Sequence, residues 1–332
     1  MAETRFDVVG IGNAIVDVLA NAEDSFLATH GMPKGGMVLI DGEKAEAIYA
    51  AMGSAIESSG GSAANTVAGI ASLGGKPAFI GKVAEDTLGR VFRHDIGGIG
   101  VHFDTPVLPA DAGVPTARCL ILVTPDAQRT MNTYLGACTR LAPSDIDEAL
   151  VASAQVTYVE GYQWDAQLAK DAIVRASLAA KEAGRAVALS LSDAFCVDRH
   201  RDEFLELTEG LVDILFANEA EIMSLYETES FESAVQAARE HVDIACITRS
   251  EKGSVIVSGQ DTVVVEAHRP ARLVDTTGAG DLYASGFLFG YTRGKSLAEC
   301  GHLASRCAAE IISHMGARPD VPLKSLLAEE EA

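Results

Sequence analysis

A short run of small residues that ends in an aspartate is the part of the sequence best suited to chemistry. Residues 275–286 read Asp-Thr-Thr-Gly-Ala-Gly-Asp-Leu-Tyr-Ala-Ser-Gly, and an apolar segment continues to residue 291. This pattern predicts a loop that opens a buried helix, where small residues let backbone N–H groups crowd around one point. Those N–H groups and the positive end of the helix dipole form a site for an anion such as phosphate.

Asp281 stands at the end of this predicted anion site. Negative charge is favoured at a helix start, so we expect the carboxylate to stay ionised and to accept a proton. An anion site beside a carboxylate base suits phosphoryl transfer to a hydroxyl, which depends on positioning and charge stabilisation. The sequence thus indicates Asp281 as the base and the N–H groups of Gly278, Ala279 and Gly280 as an anion hole. A plain loop and helix start is the structural alternative for so short a motif.

Composition restricts the class of protein. The chain has 332 residues, 48% of them hydrophobic, and a formal net charge of −21. This charge repels phosphate-rich polymers, so we expect no nucleic acid as a partner. The six cysteines form no Cys-x-x-Cys pair, which indicates buried thiols in a reducing compartment. No apolar segment is long enough to cross a bilayer, so we expect a cytoplasmic protein without a membrane partner.

Strand-like and helix-like segments alternate along most of the chain. A representative helix is predicted over residues 165–183, because its amphipathic pattern ends at Gly184. The alternation predicts an α/β fold, a doubly wound and mostly parallel sheet with helices on both faces. The predicted strands are residues 8–12, 77–83, 156–161, 186–192, 213–217 and 244–248.

Two regions interrupt this alternation. Residues 17–41 have the pattern of strands and turns, and residues 116–135 have that of a hairpin turning near Pro125 and Asp126. From the pattern alone, surface excursions and a separate small sheet are equally good interpretations.

For each of two known nucleotide-binding motifs, a single residue of this sequence breaks the match. Gly10 and Gly12 begin a near match to the dinucleotide fingerprint, but Ile15 replaces the third glycine. Its bulk would obstruct the close helix packing that this glycine allows, which argues against a nicotinamide-dependent dehydrogenase. Residues 290–296 are the nearest approach to a Walker A motif and have the wrong glycine spacing, because residue 289 is Phe289.

Residues 275–281, with Gly-Gly-Ser-Ala-Ala-Asn at 60–65, resemble the two signatures of the PfkB (ribokinase-like) family of carbohydrate and nucleoside kinases. The resemblance extends from residue 8 to about residue 322, and within the family the chain looks most like adenosine kinases. It implies one ribokinase-like domain over residues 1–332, with a small β-sheet lid inserted at about 14–41 and 105–136. A lid has a physical reason, since a kinase that admits water would hydrolyse ATP.

The resemblance implies residues for the sugar part of the acceptor. Asn13 and Asp17 match positions whose side chains hold sugar hydroxyls, a role suited to a short amide and a carboxylate. Gly61, Ser62 and Asn65 match residues that contact the ribose, and glycine lets the backbone approach a ligand closely. A strand-end turn and a serine-capped helix are the structural alternatives.

Tyr162 and Phe195 bear on the identity of the acceptor. Each follows a predicted strand, and the carboxyl ends of strands are where open α/β sheets place ligands. In adenosine kinases, aromatic residues at matching points sandwich the base, and flat rings suit a purine better than a sugar. Core filling is the alternative role for either ring.

The resemblance also implies residues for ATP and Mg²⁺. Arg129 matches an arginine that reaches the transferred phosphate, where a guanidinium could neutralise charge. Asn218 and Glu221 match Asn-x-x-Glu, which is tied to Mg²⁺ through water. Solvated arginine and an acidic helix start are the alternatives.

A second loop is implied beside the ATP phosphates. It contains Thr248, Ser250 and Gly253, and Ser250 stands where the family commonly has glycine. Gly316 belongs to the turn implied beside the adenine. Family members often bind a monovalent cation such as K⁺ near Asp275 and Thr277.

The implied activity is ATP-dependent phosphorylation of the 5′-hydroxyl of adenosine or a related nucleoside. A sugar kinase of the same family, acting on ribose, fructose or a keto-sugar, remains the first alternative. The second is a binding or regulatory protein that kept the fold and lost catalysis. The expected partners are a small nucleoside or sugar and ATP, and both a monomer and a homodimer remain open.

Overall fold

The computed structural model describes residues 4–126 and 128–330. In these residues the chain forms a nine-stranded sheet, a five-stranded sheet and eleven α-helices. The strands are β1 (Phe6–Ile11), β2 (Ile15–Asn21), β3 (Met37–Leu39), β4 (Ile56–Gly60), β5 (Pro77–Ile80), β6 (His102–Phe103), β7 (Ala117–Val123), β8 (Arg129–Tyr134), β9 (Ala154–Glu160), β10 (Ala186–Ser190), β11 (Ile214–Asn218), β12 (Ile244–Thr248), β13 (Ser254–Ser258) and β14 (Asp261–Val265). The helices are α1 (Asp24–Thr29), α2 (Gly42–Ala51), α3 (Ser62–Ser72), α4 (Thr87–Gly98), α5 (Glu148–Ala152), α6 (Gln167–Glu182), α7 (Ala194–Gly210), α8 (Glu219–Leu225), α9 (Phe231–His241), α10 (Ala279–Tyr291) and α11 (Leu297–Ile311).

The large sheet confirms the predicted α/β architecture. Its strand order is β14-β13-β12-β11-β10-β9-β1-β5-β6, and all neighbours are parallel except at the β13 and β14 edge. Alternate strand residues such as Val9 and Val8 enter two separate cores. One core packs against α6 to α9 and the other against α3, α4, α10 and α11. Both faces of the sheet are therefore covered by helices.

The chain direction across this sheet reverses between β1 and β9. From β1 the chain adds β5 and β6 on one side, and β9 returns to the other side of β1. In open α/β sheets, ligand crevices lie at the carboxyl ends of the strands at such a reversal. Asn13, just beyond β1, and Glu160, the last residue of β9, therefore lie where a ligand is expected.

The second sheet contains both regions that interrupted the alternation. Its order is β3-β8-β7-β2-β4, and β7 and β8 form the predicted antiparallel hairpin. The sequence prediction lacked α1 at Asp24–Thr29 and β4 at Ile56–Gly60, and in the large sheet it also lacked β6, β13 and β14. Helix α1 is six residues long and buries only Leu27, too little for a helical period to show. Strand β4 ends in two serines and a glycine, which have little strand propensity.

The helix predicted over residues 165–183 agrees with the structure. Helix α6 covers Gln167–Glu182 and is followed by Gly184 in the left-handed region, at φ 67°. All six cysteines are buried. Within residues 4–126 and 128–330, every helix falls short of the length and apolarity needed to cross a bilayer.

Two glycines let α3, α10 and α11 pack at very short range. A Cβ atom added to Gly286 of α10 would lie 2.7 Å from the Cα of Ala304 on α11. A Cβ atom added to Gly69 of α3 would lie 2.8 Å from the Cβ of Ser285 on α10. Real Cβ atoms do not approach other atoms so closely, so larger residues would separate the helices. The first turns of α3 and α10 therefore keep a fixed relative position.

We expect Gly286→Ala to lower the free energy of unfolding by about 1–3 kcal/mol, because the added methyl group overpacks the α10–α11 contact. Urea unfolding followed by circular dichroism measures this change. Gly97→Ala is the matched control, since a Cβ there would have no atom within 4 Å. Equal stability of the two variants would contradict the close packing.

Candidate active site

Asp281 lies in the first turn of α10 and accepts hydrogen bonds from two side chains of α3. Its Oδ1 accepts from Ser62 Oγ at 2.7 Å, and its Oδ2 accepts from Asn65 Nδ2 at 2.9 Å. Gly61 precedes α3 with φ 100°, and a Cβ there would lie 2.1 Å from the Asn13 carbonyl oxygen. The two glycine-rich segments, which lie more than 200 residues apart, thus meet at one carboxylate.

Several influences act on the pKa of Asp281 besides the helix start. Burial raises its pKa above the ordinary value, while hydrogen bonds from Ser62 and Asn65 and the charge of Arg318 act in the opposite direction. Removal from water thus opposes the effect of the helix start on this carboxyl group, because it favours the neutral acid. Once ionised, a carboxylate with a raised pKa is a stronger base for a hydroxyl proton.

The predicted anion loop has an open, glycine-lined shape. Gly278 has left-handed geometry at φ 79°, and a Cβ added to it would lie 3.0 Å from the Cβ of Ala317. A Cβ added to Gly280 would meet no atom within 4 Å, so space remains beside the loop. The Ala279 N–H already donates to the Thr276 carbonyl oxygen at 3.2 Å. First-turn N–H groups of a helix lack helical acceptors, so Gly280 retains a donor directed out of the helix start.

Asp275 organises the segment before α10. Its Oδ1 accepts from the Thr277 N–H at 3.0 Å and hydroxyl at 2.7 Å. Its Oδ2 accepts from the Gly316 N–H at 2.9 Å and from Arg129 Nη1. These four bonds use the roughly four acceptor sites of a carboxylate. The Asp275 side chain therefore does not fit as a ligand for K⁺.

Arg129 lies beside the anion loop, on the first position of β8. Its Nη1 also donates to Thr277 Oγ1 at 2.9 Å, and its side chain is only 11% exposed. Its Nε is buried without a hydrogen-bond partner in the described part of the chain. Strand β8 thus brings a partly unsatisfied guanidinium from the second sheet to the segment that leads into α10.

Asn13 is held by Glu160, a residue that sequence reasoning missed. Glu160 Oε1 accepts from the Asn13 N–H at 2.8 Å and from its Nδ2 at 2.7 Å. The other oxygen accepts from the Ala63 N–H at 2.7 Å, and Gln163 Nε2 donates to Asn13 Oδ1 at 3.2 Å. Burial raises the pKa of Glu160 to about 7. An acidic residue inside the apolar segment 156–161 was the available signal.

Asp17 lies on β2 of the second sheet and faces the same crevice. A Cβ added to Gly60 on the neighbouring strand would lie 2.4 Å from Asp17 Oδ2, so only glycine leaves room for this carboxylate. Burial raises the pKa of Asp17 to about 6, and the charges of Arg318 and Arg129 oppose that rise. The charge of Asp281 also acts on Asp17 and raises its pKa further.

The two aromatic residues follow adjacent strands, β9 and β10. Tyr162 donates its backbone N–H to Ser192 Oγ at 3.2 Å and its hydroxyl to the Ser192 carbonyl oxygen at 3.4 Å. Phe195 lies in the first turn of α7 with 78% of its surface exposed. It is therefore not core filling, whereas Tyr162 is anchored to the turn that precedes Phe195.

Asn218 and Glu221 bond to each other at the start of α8. Asn218 Oδ1 accepts from the Glu221 N–H at 2.9 Å, and Glu221 accepts from the Asn218 N–H at 2.9 Å and Nδ2 at 2.6 Å. Burial raises the pKa of Glu221 to about 7. Each carboxylate oxygen takes one protein hydrogen bond and retains acceptor capacity, which fits contact with Mg²⁺ through water better than direct coordination. Within residues 4–126 and 128–330, no three His, Cys, Asp or Glu side chains group as a metal site.

In the loop after β12, Ser250 adopts the backbone geometry of the glycine that is common at this position. Thr248 ends β12, and Ser250 has φ 52°, the left-handed geometry that glycine adopts most easily. Gly253 has φ 83°, and a Cβ there would lie 2.0 Å from the Val265 carbonyl oxygen. The loop therefore keeps a glycine-like backbone path despite Ser250.

Arg318 is the other residue missed from the sequence. Its Nη1 donates to the Ala64 carbonyl oxygen at 2.7 Å, and its Nε donates to the Ser59 carbonyl oxygen at 3.1 Å. Its charge acts on both Asp17 and Asp281. A basic residue two positions after Gly316 was the only signal, and no motif marks it.

The fold and this site define an α/β phosphotransferase whose acceptor is an alcohol group. Residues 44–324 match the model of the pfkB family of carbohydrate kinases, and the chain belongs to that family. This result confirms the resemblance seen in the sequence and identifies a nucleoside or sugar kinase.

Similar proteins are known from both sequence and structure. The crystal structure of adenosine kinase from Sinorhizobium meliloti is 52% identical, with a TM-score of 0.90 over 99% of this chain and 100% of that chain. The crystal structure of a "probable sugar kinase protein" from Rhizobium etli CFN 42 is 50% identical, with a TM-score of 0.91 over 99% of each chain. Adenosine kinase of Saccharomyces cerevisiae is 25% identical, over 96% of this chain and 98% of that protein.

We expect the free energy of unfolding to fall as pH rises from 5 to 8. Glu160 has an ordinary pKa of 4.5 and a folded-state pKa of about 7, so between these values the folded protein binds more protons than the unfolded chain. Stability present below pH 4.5 is therefore lost as pH rises towards 7. Urea unfolding at several pH values measures the slope.

Glu160→Gln should make this slope shallower, because the substituted side chain does not titrate. Glu206→Gln is the matched control, since Glu206 is exposed on α7. Identical slopes for the wild type and Glu160→Gln would contradict a protonated, buried Glu160.

Proposed function

We propose that the protein is an ATP-dependent kinase that phosphorylates the 5′-hydroxyl of adenosine or a related nucleoside. The observation that carries the proposal is the convergence of Ser62 and Asn65 on Asp281 at the open start of α10. The relatives from Sinorhizobium meliloti and Saccharomyces cerevisiae, both named adenosine kinase, support the choice of acceptor. A role in purine salvage in the cytoplasm would follow from this activity.

Asp281 is the general base in this proposal. Ser62 and Asn65 hold its two oxygens in a fixed orientation, so an acceptor hydroxyl can donate to the carboxylate without reorganisation of the site. The proton moves from the hydroxyl to Asp281 as the oxygen attacks the γ-phosphorus of ATP and the bond to ADP breaks. Positioning by Asn13 and Asp17 would place the sugar, because each presents a polar group in the same crevice.

Charge that develops on the transferred phosphoryl group would meet the backbone N–H groups of Gly278 and Gly280, and the Ala279 N–H would join them only by leaving the Thr276 carbonyl oxygen. Gly280 leaves room for the phosphate, and the helix dipole adds positive potential there. Arg129 lies beside this loop, and a short movement of its side chain would bring the guanidinium to the phosphate. Its bond to Asp275 would hold it ready for that contact.

ATP would lie along the segments that carry Asn218, Thr248, Ser250, Gly253 and Gly316. Mg²⁺, when bound with ATP, supplies charge that neutralises the phosphates. Glu221 would contact the metal through a water ligand, because its two oxygens already accept from Asn218. This arrangement keeps the carboxylate in place whether or not nucleotide is bound.

A sugar kinase is the second candidate. The 50% identical structure from Rhizobium etli CFN 42 is described as a probable sugar kinase protein. Screening nucleosides and sugars for ADP release separates the two, because only one acceptor class should reach a low KM. Absence of turnover with any acceptor would instead indicate a binding or regulatory protein.

We expect Asp281→Asn to lower kcat by about 10²–10⁴-fold, because the amide cannot accept the hydroxyl proton. Binding of adenosine and ATP, measured by calorimetry, should stay within severalfold of wild type. Asp202→Asn, on an exposed residue of α7, is the matched control for the loss of one carboxylate. Near wild-type kcat in Asp281→Asn would refute the assignment of the base.

Phe195→Ala should raise the KM for adenosine by about 5–100-fold, the usual range for one lost base–aromatic stack. Stability should not change, because the ring is 78% exposed. Leu178→Ala, an exposed apolar residue of α6, is the control. If KM for adenosine is unchanged in both Phe195→Ala and Tyr162→Ala, the base does not lie between these rings.

A further inference from the structure

Arg318 joins the second sheet to the helix that carries Ser62 and Asn65. Its guanidinium donates twice to the Ser59 carbonyl oxygen, at 3.1 and 3.0 Å, and once to Ser59 Oγ at 3.0 Å. A fourth bond reaches the Ala64 carbonyl oxygen in the first turn of α3 at 2.7 Å. Ser59 is the penultimate residue of β4, so one planar group holds both sides of the β4–α3 junction.

This junction shapes the crevice directly. Gly60 leaves the space that the Asp17 carboxylate fills, and Gly61 leaves space for the Asn13 carbonyl group. Ser62, the next residue, donates to Asp281. A shift of the junction by a fraction of an ångström would therefore move the groups around the acceptor and the group that orients the base.

The positive charge of Arg318 is shared by several carboxylates. Three carboxylates act on it, those of Asp95, Asp17 and Asp281. Asp95 of α4 already accepts from the Ser59 N–H at 2.7 Å and hydroxyl at 2.6 Å. The positive charges that act on the Asp17 carboxylate are those of Arg318 and Arg129.

We propose that Arg318 is a positioning residue with an electrostatic role: its guanidinium fixes the β4–α3 junction and supplies positive charge to the Asp17 and Asp281 carboxylates that border it. Ionised Asp17 accepts hydrogen bonds from acceptor hydroxyls, and ionised Asp281 takes the hydroxyl proton. The proposal rests on the proposed function for these two consequences. A plain structural anchor, which would fix the junction without acting on ionisation, is the alternative.

Other charged groups bear on the same two carboxylates. Asp17 is faced by Arg318, Arg129 and Asp281. Asp281 is faced by Arg318 and by the donors Ser62 and Asn65. Arg129 is paired with Asp275, so its charge is partly neutralised, whereas Arg318 is shared among three carboxylates. The charge of Asp281 is also felt by Tyr158, Glu160 and Tyr162.

The kinetic experiment compares the pH profiles of kcat/KM for wild type, Arg318→Met and Arg318→Lys. Methionine keeps an unbranched apolar stem and removes the guanidinium with its charge, so the acidic limb should move to higher pH by about one unit. Lysine keeps the charge and loses the planar fork, so the limb should stay in place while KM for the acceptor rises. Arg269→Met, on an exposed arginine, is the matched control.

Asp95→Asn tests the direction in which a change of charge at the same junction moves the acidic limb of the pH profile. It removes a competing carboxylate, so Arg318 acts more strongly on Asp17 and Asp281, and the acidic limb should move to lower pH. A plain anchor predicts no movement of the limb in either Arg318→Met or Asp95→Asn. The proposal is overturned if the acidic limb does not move in Arg318→Met, or if it moves equally far in Arg318→Lys. It is also overturned if Arg318→Met and Asp95→Asn move the limb in the same direction. If Arg318→Met does not fold, the direction of the Asp95→Asn shift decides.

A second readout does not depend on catalysis. Without Arg318, Asp17 and Asp281 should stay protonated to higher pH, so the fall in unfolding free energy between pH 5 and 8 should be larger than in wild type. Asp95→Asn should make that fall smaller. If the wild type phosphorylates neither nucleosides nor sugars, the proposed function fails, yet these slopes still support or overturn the role of Arg318.

Discussion

The Asp281 carboxylate accepts hydrogen bonds from two side chains of α3, and the rest of the site depends on this contact. It exists because Gly69 lets α3 lie against α10 at a distance that no larger residue permits. Gly61, in left-handed geometry, directs Ser62 into the same space. Backbone geometry at two glycines thus determines the orientation of one catalytic candidate, and binding energy need not be used to orient it.

Burial works against the ionisation that the site requires. The pKa values of Asp17, Glu160 and Asp281 are all raised by removal from water. Hydrogen-bond donors and the charge of Arg318 oppose this effect at Asp281. Such a balance is common where a site must exclude water and still keep a base near its working pKa. At a pH between the unfolded-state and folded-state pKa values of these groups, the folded protein therefore binds more protons than the unfolded chain.

The two sheets have different roles in this arrangement. The large sheet brings Asn13, Tyr162 and Asn218 to its carboxyl edge, as an open parallel sheet does. The second sheet contributes Asp17 and Arg129 from strands that pair only within that sheet. A movement of the second sheet would carry both residues together, which is the mechanical requirement for a lid.

Strand-helix alternation, the hairpin and the helix that begins at Ala279 were predictable from the sequence, because each depends on local periodicity and turn residues. Strand β4 and helix α1 were not, because Ile56–Gly60 and Asp24–Thr29 have too few apolar residues to show a period. The roles of Glu160 and Arg318 could not be predicted from the sequence for another reason. Neither belongs to a local pattern, and each acquires its role from partners at Asn13 and Ala63, or at Ser59 and Ala64. The sequence by itself determined most of the strands and helices, including the small-residue loop that opens α10, whereas only tertiary packing decided which charges face one another, since electrostatic interactions depend on distances through space and on burial.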